Sequence, residues 1–211
     1  IALLAFSAVG FFLLSDSTVS AQKDEGGTRS ASKVATPGML SLALNFGAAA
    51  EYTVFADKGI VESEARIGGK VGVASSDEVG ARAQKDLSNA FAVLENLPCT
   101  EKNTEMRSGS FKPGVYCATT GNLKGGFVLD GAGDPNSIFV FRSEGKINAG
   151  RDLNVTLVNG AEARNVFFVS SDTATVAEGV NLNGNVIARN AVFVKDGATI
   201  GRAMSVNGKV D

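Results

Sequence analysis

The 211-residue chain has no histidine and no tryptophan, only two cysteines, two tyrosines and four prolines, and little excess charge of either sign. Without histidine, the Ser-His-Asp and Cys-His arrangements of nucleophilic catalysis are unavailable. Two cysteines with no histidine also argue against a zinc site. A net charge of -2 at pH 7 argues against nucleic acid as a partner, which demands a basic surface. The apolar run over residues 1–14 (IALLAFSAVGFFLL) falls short of the about 20 residues that a membrane-spanning helix needs. What the chain has in quantity is glycine, 25 residues, beside 44% hydrophobic residues. That combination suits a sizeable core enclosed by many corners.

The apolar run is followed by Thr18-Val19-Ser20-Ala21, small residues suited to cleavage before Gln22. The pattern predicts a secretory signal peptide over residues 1–21, truncated of its Met and basic start. A retained N-terminal membrane anchor is the alternative, and both place the domain outside the cytoplasm. In an exported chain Cys99 and Cys117 are expected to form a disulfide, two free buried thiols being the rival reading. Residues 22–39 are polar, charged and Gly/Ser-bearing, a flexible leader. The folded domain is expected over residues 40–211.

The last third of that domain repeats. Val176, Gly179, Leu182, Val186 and Ala188 reappear as Val194, Gly197, Ile200, Met204 and Val206. A fainter copy precedes them in Leu157, Gly160, Ala163, Phe167 and Val169. So short a period fits one turn of a β-solenoid, whose turns must stack to bury their apolar sides. Upstream, Tyr52-Thr53-Val54-Phe55, Gly59-Ile60-Val61, Ile67-Gly68-Gly69 and Val71-Gly72-Val73 read as strands and corners of one or two further turns. A helix interrupts them over residues 78–97. Ser76 and Asp77 can cap it, Pro98 ends it, and Ala83, Leu87, Ala90, Phe91 and Leu94 form a single apolar stripe.

Alternation assigns the sides of each turn. On the first, Val155, Leu157, Ala174, Val176, Val192 and Val194 point inward. Asn154, Thr156, Thr173, Thr175, Ala191 and Phe193 point outward. On the second, Asn181, Asn183 and Thr199 face out, with Glu162 and Arg164 at its lower edge. On the third, Phe167, Val169, Val186, Ala188, Met204 and Val206 are read as inward, and Val166, Phe168, Ile187 and Ala203 as outward. An apolar outer side needs a cover, and the helix with its one stripe supplies it. The expected fold is therefore mainly β, a three-sided β-solenoid with one long α-helix packed along the third side.

Several stretches together resemble the secreted ice-binding family of microbes, long filed as a domain of unknown function. They are Gly47-Ala48-Ala49-Ala50-Glu51-Tyr52-Thr53-Val54-Phe55-Ala56, Gly69-Lys70-Val71-Gly72-Val73, Ala81-Arg82-Ala83-Gln84-Lys85-Asp86-Leu87, Pro113-Gly114-Val115-Tyr116, the run 129–141, the run 158–168 and Ala198-Thr199-Ile200-Gly201-Arg202-Ala203. The resemblance covers about residue 42 onward and implies a right-handed solenoid of triangular section with a helix alongside. It also implies binding to ice, with no cofactor, by a secreted monomer. Three departures stand out. The stretch between Val73 and the helix is short, Phe replaces a Trp common in the Asn-Val-Phe strand, and a further outer strand is expected after Asp211.

Ice recognition asks for a flat, stiff, weakly polar plane, and threonine suits it because a β-branched side chain is restricted at χ1. The first-side residues Asn154, Thr156, Thr173, Thr175, Ala191 and Phe193 carry no charge and form the preferred candidate face. Asn181, Asn183 and Thr199 form the second. Two other classes compete. A polysaccharide lyase would use carboxylates, but Asp130, Asp134, Asp152, Asp172 and Asp196 sit where aspartate commonly serves turns. A non-catalytic adhesive module would present the same faces to a cell-surface polysaccharide or a protein.

Overall fold

A computed structural model describes residues 44–60, 69–74, 77–102 and 105–211. The expected signal peptide, the leader, Val61, Ile67, Gly68 and Ser76 lie outside these residues. The elements run β1 (Val54–Ala56), β2 (Gly59–Ile60), β3 (Val71–Val73), α1 (Glu78–Asn96), β4 (Glu101–Lys102), β5 (Gly109–Phe111), β6 (Gly114–Ala118) and β7 (Gly121–Leu123). They continue as β8 (Gly126–Asp130), β9 (Phe139–Ser143), β10 (Ile147–Ala149), β11 (Asn154–Val158), β12 (Val166–Ser170) and β13 (Thr173–Val176). The last are β14 (Asn185–Ala188), β15 (Ala191–Val194), β16 (Arg202–Ser205) and β17 (Lys209–Val210).

These strands form three parallel sheets, the sides of a solenoid. One is eight-stranded, in the order β3-β1-β16-β14-β12-β9-β6-β4. The second is six-stranded, β2-β17-β15-β13-β10-β7, and the third is three-stranded, β11-β8-β5. The order departs from the sequence at one place. β1 pairs with β16, and β2 with β17, so the first strands of the domain close the C-terminal end of the stack. β3 and β4 consequently lie on opposite edges of the eight-stranded sheet. Seven intervals of about 4.8 Å separate them, roughly 34 Å. The 19-residue α1 covers about 28 Å of that path at 1.5 Å per residue. The helix is thus the crossover that carries the chain from one end of the stack to the other.

Local chemistry makes this helix. The Asp77 carboxylate accepts from the Gly80 N–H, an N-cap. The predicted stripe of Ala83, Leu87, Ala90, Phe91 and Leu94 is buried against the eight-stranded sheet, beside Phe55, Val115, Val140, Phe167, Val169, Ile187 and Met204. The Cys99–Cys117 disulfide, with 5.8 Å between Cα atoms, fastens the helix exit to β6. Closing such a loop contributes about 3 kcal/mol on the loop-entropy model.

The helix covers the third side as expected, but the phase within that side differs. Val166, Phe168 and Ala203 point into the solenoid core, as do Val186 and Ala188. Phe167, Val169, Met204 and Val206 point at the helix, as does Ile187. Register explains the reversal. Phe168 pairs with Val186, eighteen residues on, but Val186 pairs with Ala203, seventeen on, so Met204 is not the counterpart of Val186. A slip of one residue turns every side chain to the opposite face. Both faces of this sheet are apolar, so alternation of polarity could not set its phase.

Inside the solenoid an aromatic column follows the register. Tyr116, Phe141 and Phe168 occupy paired positions. Their rings stack with centroids 5.3 and 5.2 Å apart. The column continues with Val186, Ala203 and Val54. Interior side chains therefore shrink where the turns shorten. At the corner leading to the six-stranded sheet, Ser143, Ser170 and Ser205 are fully buried. Their hydroxyls donate to the corner carbonyls of Lys146, Thr173 and Asn190, which satisfies polar groups that burial would otherwise penalise.

Candidate functional site

With α1 on the eight-stranded sheet, the six-stranded and three-stranded sheets are the faces left open. On the six-stranded face the inward residues are Leu123, Ile147, Ala149, Ala174, Val176, Val192 and Val210, all buried. Their outward neighbours follow by alternation. One row across the strands is Asn122, Asn148, Thr175 and Phe193. A parallel row contains Thr173 and Ala191. Asn148 Nδ2 donates to Asn122 Oδ1 at 3.2 Å, a rung of an asparagine ladder. Thr173, Thr175 and Phe193 are half-buried and Ala191 is buried, as befits side chains shouldered by their neighbours in a flat sheet.

Charge enters this face on β17, the second strand from one edge, and at the corners. Lys209 Nζ pairs with the Asp211 carboxylate at 2.7 Å and lies 5.4 Å from the Phe193 ring centroid. Lys195 Nζ lies 5.9 Å from the same ring. The Lys209 ammonium holds the Asp211 carboxyl below its ordinary range. Lys146, directly before β10, is exposed at the corner.

The three-stranded face presents Ser110, Val128 and Thr156 in one row. Gly126 and Asn154 stand in the next. Single bridges extend that second row through Asn181 to Thr199. Asn154, Thr156, Asn181 and Thr199 are exposed, and Val128 is 38% exposed. At one corner Lys112 pairs with Asp130 at 3.2 Å. Asp130 also accepts from the Ala132 N–H and the Asn159 amide, and these bonds, with Lys112, hold its carboxyl below the ordinary range.

Two expected groupings are therefore corrected. Asn154 and Thr156 do not share a face with Thr173, Thr175, Ala191 and Phe193, because β11 pairs with β8 and not with β13. They join Asn181 and Thr199 instead. Asn183 leaves that face, since its amide turns to donate to the Val155 carbonyl at 2.7 Å from a positive-φ corner. Glu162 and Arg164 pair with each other at 2.7 Å in the turn that leads into β12. The structure adds four outward residues to these faces: Asn122, Asn148, Ser110 and Val128. They lie in longer turns outside the 18-residue repeat, where the alternation in Gly121-Asn122-Leu123 and Ile147-Asn148-Ala149 was the available signal. Of the corner aspartates, Asp130 and Asp134 serve turns, accepting from the Ala132 and Asn136 N–H groups at 2.9 and 2.8 Å, while Asp172 accepts from the Asn190 amide one coil on at 2.9 Å.

A family model described as ice-binding-like matches residues 27–211. An ice-binding protein of Nostoc sp. (strain HG1) is 34% identical over 141 residues, 64% of this chain and 52% of the relative. Ice-binding protein 1 of Shewanella frigidimarina (strain NCIMB 400) is 35% identical over 125 residues, 58% of this chain and 14% of the relative. The chain thus spans about half of the first relative's length and far less of the second's. Among solved structures, the ice-binding protein of the Antarctic ascomycete Antarctomyces psychrotrophicus superposes with a TM-score of 0.71 at 28% identity, over 80% of this chain and 97% of that one. An ice-binding protein from an Antarctic Flavobacteriaceae bacterium gives a TM-score of 0.73 at 28% identity, over 80% of this chain and 45% of that one.

Proposed function

This chain belongs to the ice-binding-like family, and from that premise we propose that it adsorbs to ice through its six-stranded face. The observation that carries the choice of face is the unbroken parallel register of β2-β17-β15-β13-β10-β7. Five intervals of about 4.8 Å make a plane roughly 24 Å across, with outward residues on each strand about 6.6 Å apart. The central row of Asn122, Asn148 and Thr175, with Thr173 beside it, offers hydroxyls, amides and a methyl group in register and no charge. Such an array holds surface water in positions an ice lattice can continue, and the stack behind it keeps the array rigid. Adsorption pins the crystal surface and slows growth and recrystallisation. The work is done by a binding surface, by a secreted monomer, with no catalytic group or cofactor.

A specific observation favours a second reading. The rows Ser110-Val128-Thr156 and Gly126-Asn154-Asn181-Thr199 carry no charged side chain at all. An ice-recrystallisation assay on residues 22–211 separates the faces. Thr175→Tyr raises a bulky side chain in the middle of the six-stranded plane and should abolish activity, while Thr156→Tyr should leave it intact. The opposite pattern moves the site to the three-stranded face. A parent protein that leaves crystals unshaped at high concentration favours an adhesive module for polysaccharide or protein.

A further inference from the structure

We propose that Asn154 is an acceptor for an N-linked glycan. Asn154-Val155-Thr156 is the one Asn-x-Ser/Thr triplet in the chain whose middle residue is not proline. Its setting meets what a glycan needs of a surface. Asn154 and Thr156 are both exposed, while Val155 between them is 1% exposed and anchors the strand. Alternation places the acceptor amide and the recognition hydroxyl on the same side of β11. Among the described residues the Asn154 side chain has no hydrogen-bond partner, so no contact is lost when its amide is substituted. There is lateral room too. The residue paired with Asn154 on β8 is Gly126, where an added Cβ would meet nothing within 4 Å. The Cys99–Cys117 disulfide fits the oxidising route along which such glycans are attached.

The co-reactant is a polyprenyl-diphosphate-linked oligosaccharide, delivered by the oligosaccharide transferase of a secretory membrane. Asn154 Nδ2 attacks the anomeric carbon of its reducing-end sugar. A carbon–nitrogen bond forms, the bond from that carbon to the diphosphate oxygen breaks, and the lipid diphosphate leaves. The amide gives up one proton to solvent, and no electrons are transferred. The glycan stands over the three-stranded face and leaves the six-stranded face as the broad open plane. The inference deepens the choice of face made above and rests on that reading of the open faces, but its test does not use ice.

The full chain is secreted from a yeast host and its intact mass measured. The expected result is a glycan-sized mass increase, removed by a peptide-N-glycosidase with conversion of the residue 154 amide to acid in the released peptide. Thr156→Ser should keep the increase, and Thr156→Val and Asn154→Gln should lose it. Secretion of the parent chain at its unmodified mass, or persistence of the increase in Thr156→Val, would overturn the assignment. Either outcome leaves the ice assay to judge the ice-binding reading on its own.

Discussion

Replacing Arg142 with Met should loosen the helix from the solenoid without touching either open face. Arg142 occupies a helix-facing position of β9, between Cys117 and Val169 in the register. Its guanidinium donates to the carbonyls of Glu95 and Leu97, the latter at 3.0 Å, with Leu94 O at 3.5 Å and Cys99 Sγ at 3.1 Å. These carbonyls belong to the helix C-terminus, where no intrahelical N–H remains to bond them. A hydrogen bond to a charged group contributes about 1.5–3 kcal/mol. Two good bonds at a half-buried site, where water can replace part of the loss, put the cost at about 2–3 kcal/mol. Met preserves the packing of the aliphatic stem, so the loss isolates the guanidinium. In a domain of this size each kcal/mol moves Tm by about 2–4 °C, giving a fall of roughly 4–12 °C. Thermal unfolding followed by circular dichroism measures it, and hydrogen exchange should quicken first at residues 92–97. A Met variant that unfolds within about 1 °C of the parent would refute the clamp, as would exchange quickened equally along the whole helix. Ice-recrystallisation activity near 0 °C should be unchanged, since the plane around Thr175 lies on another side.

Other outcomes follow from the same geometry. Phe141→Ala removes the middle ring from the column Tyr116-Phe141-Phe168 and should cost about 3–5 kcal/mol, read by denaturant unfolding, because the tightly stacked neighbours cannot close the gap. Glu51, Asp130 and Asp211 have carboxyls held low, Glu51 and Asp211 chiefly by bonds from Lys70 and Lys209, and Asp130 first by the Ala132 N–H. A depressed folded-state pKa gives stability that is present above the ordinary carboxylate value of about 4 and lost as pH falls through the depressed one. With no histidine in the chain, the unfolding midpoint should hold level from pH 6 to 8 and decline only in acid. A drop centred near pH 6 would contradict this account.

What could be read from sequence was local. The helix needed only Asp77, a stripe at helical spacing and Pro98, and it formed within one residue of the expected end. The inward pair Ala174 and Val176 and the outward pair Thr173 and Thr175 needed only polarity alternating along one strand. The phase of the third side was not readable, because Val166, Phe167, Phe168 and Val169 are apolar without a break and buried on both faces. The resemblance covered the architecture but left open which outward residues lie together.

That question belongs to the tertiary structure. The sequence by itself determined a stack of short strands, a covering helix, a pair of cysteines and an uncharged outward run around Thr173 and Thr175. Only the folded stack decided that β1 closes the end beyond β16, that the helix must carry the chain back, and that Asn154 and Thr156 stand on a different side from Thr173 and Thr175. The reason is one of range. Which way a side chain points depends on its own strand, whereas which side of the solenoid it occupies depends on the summed lengths of corners and turns, quantities that no window of sequence contains.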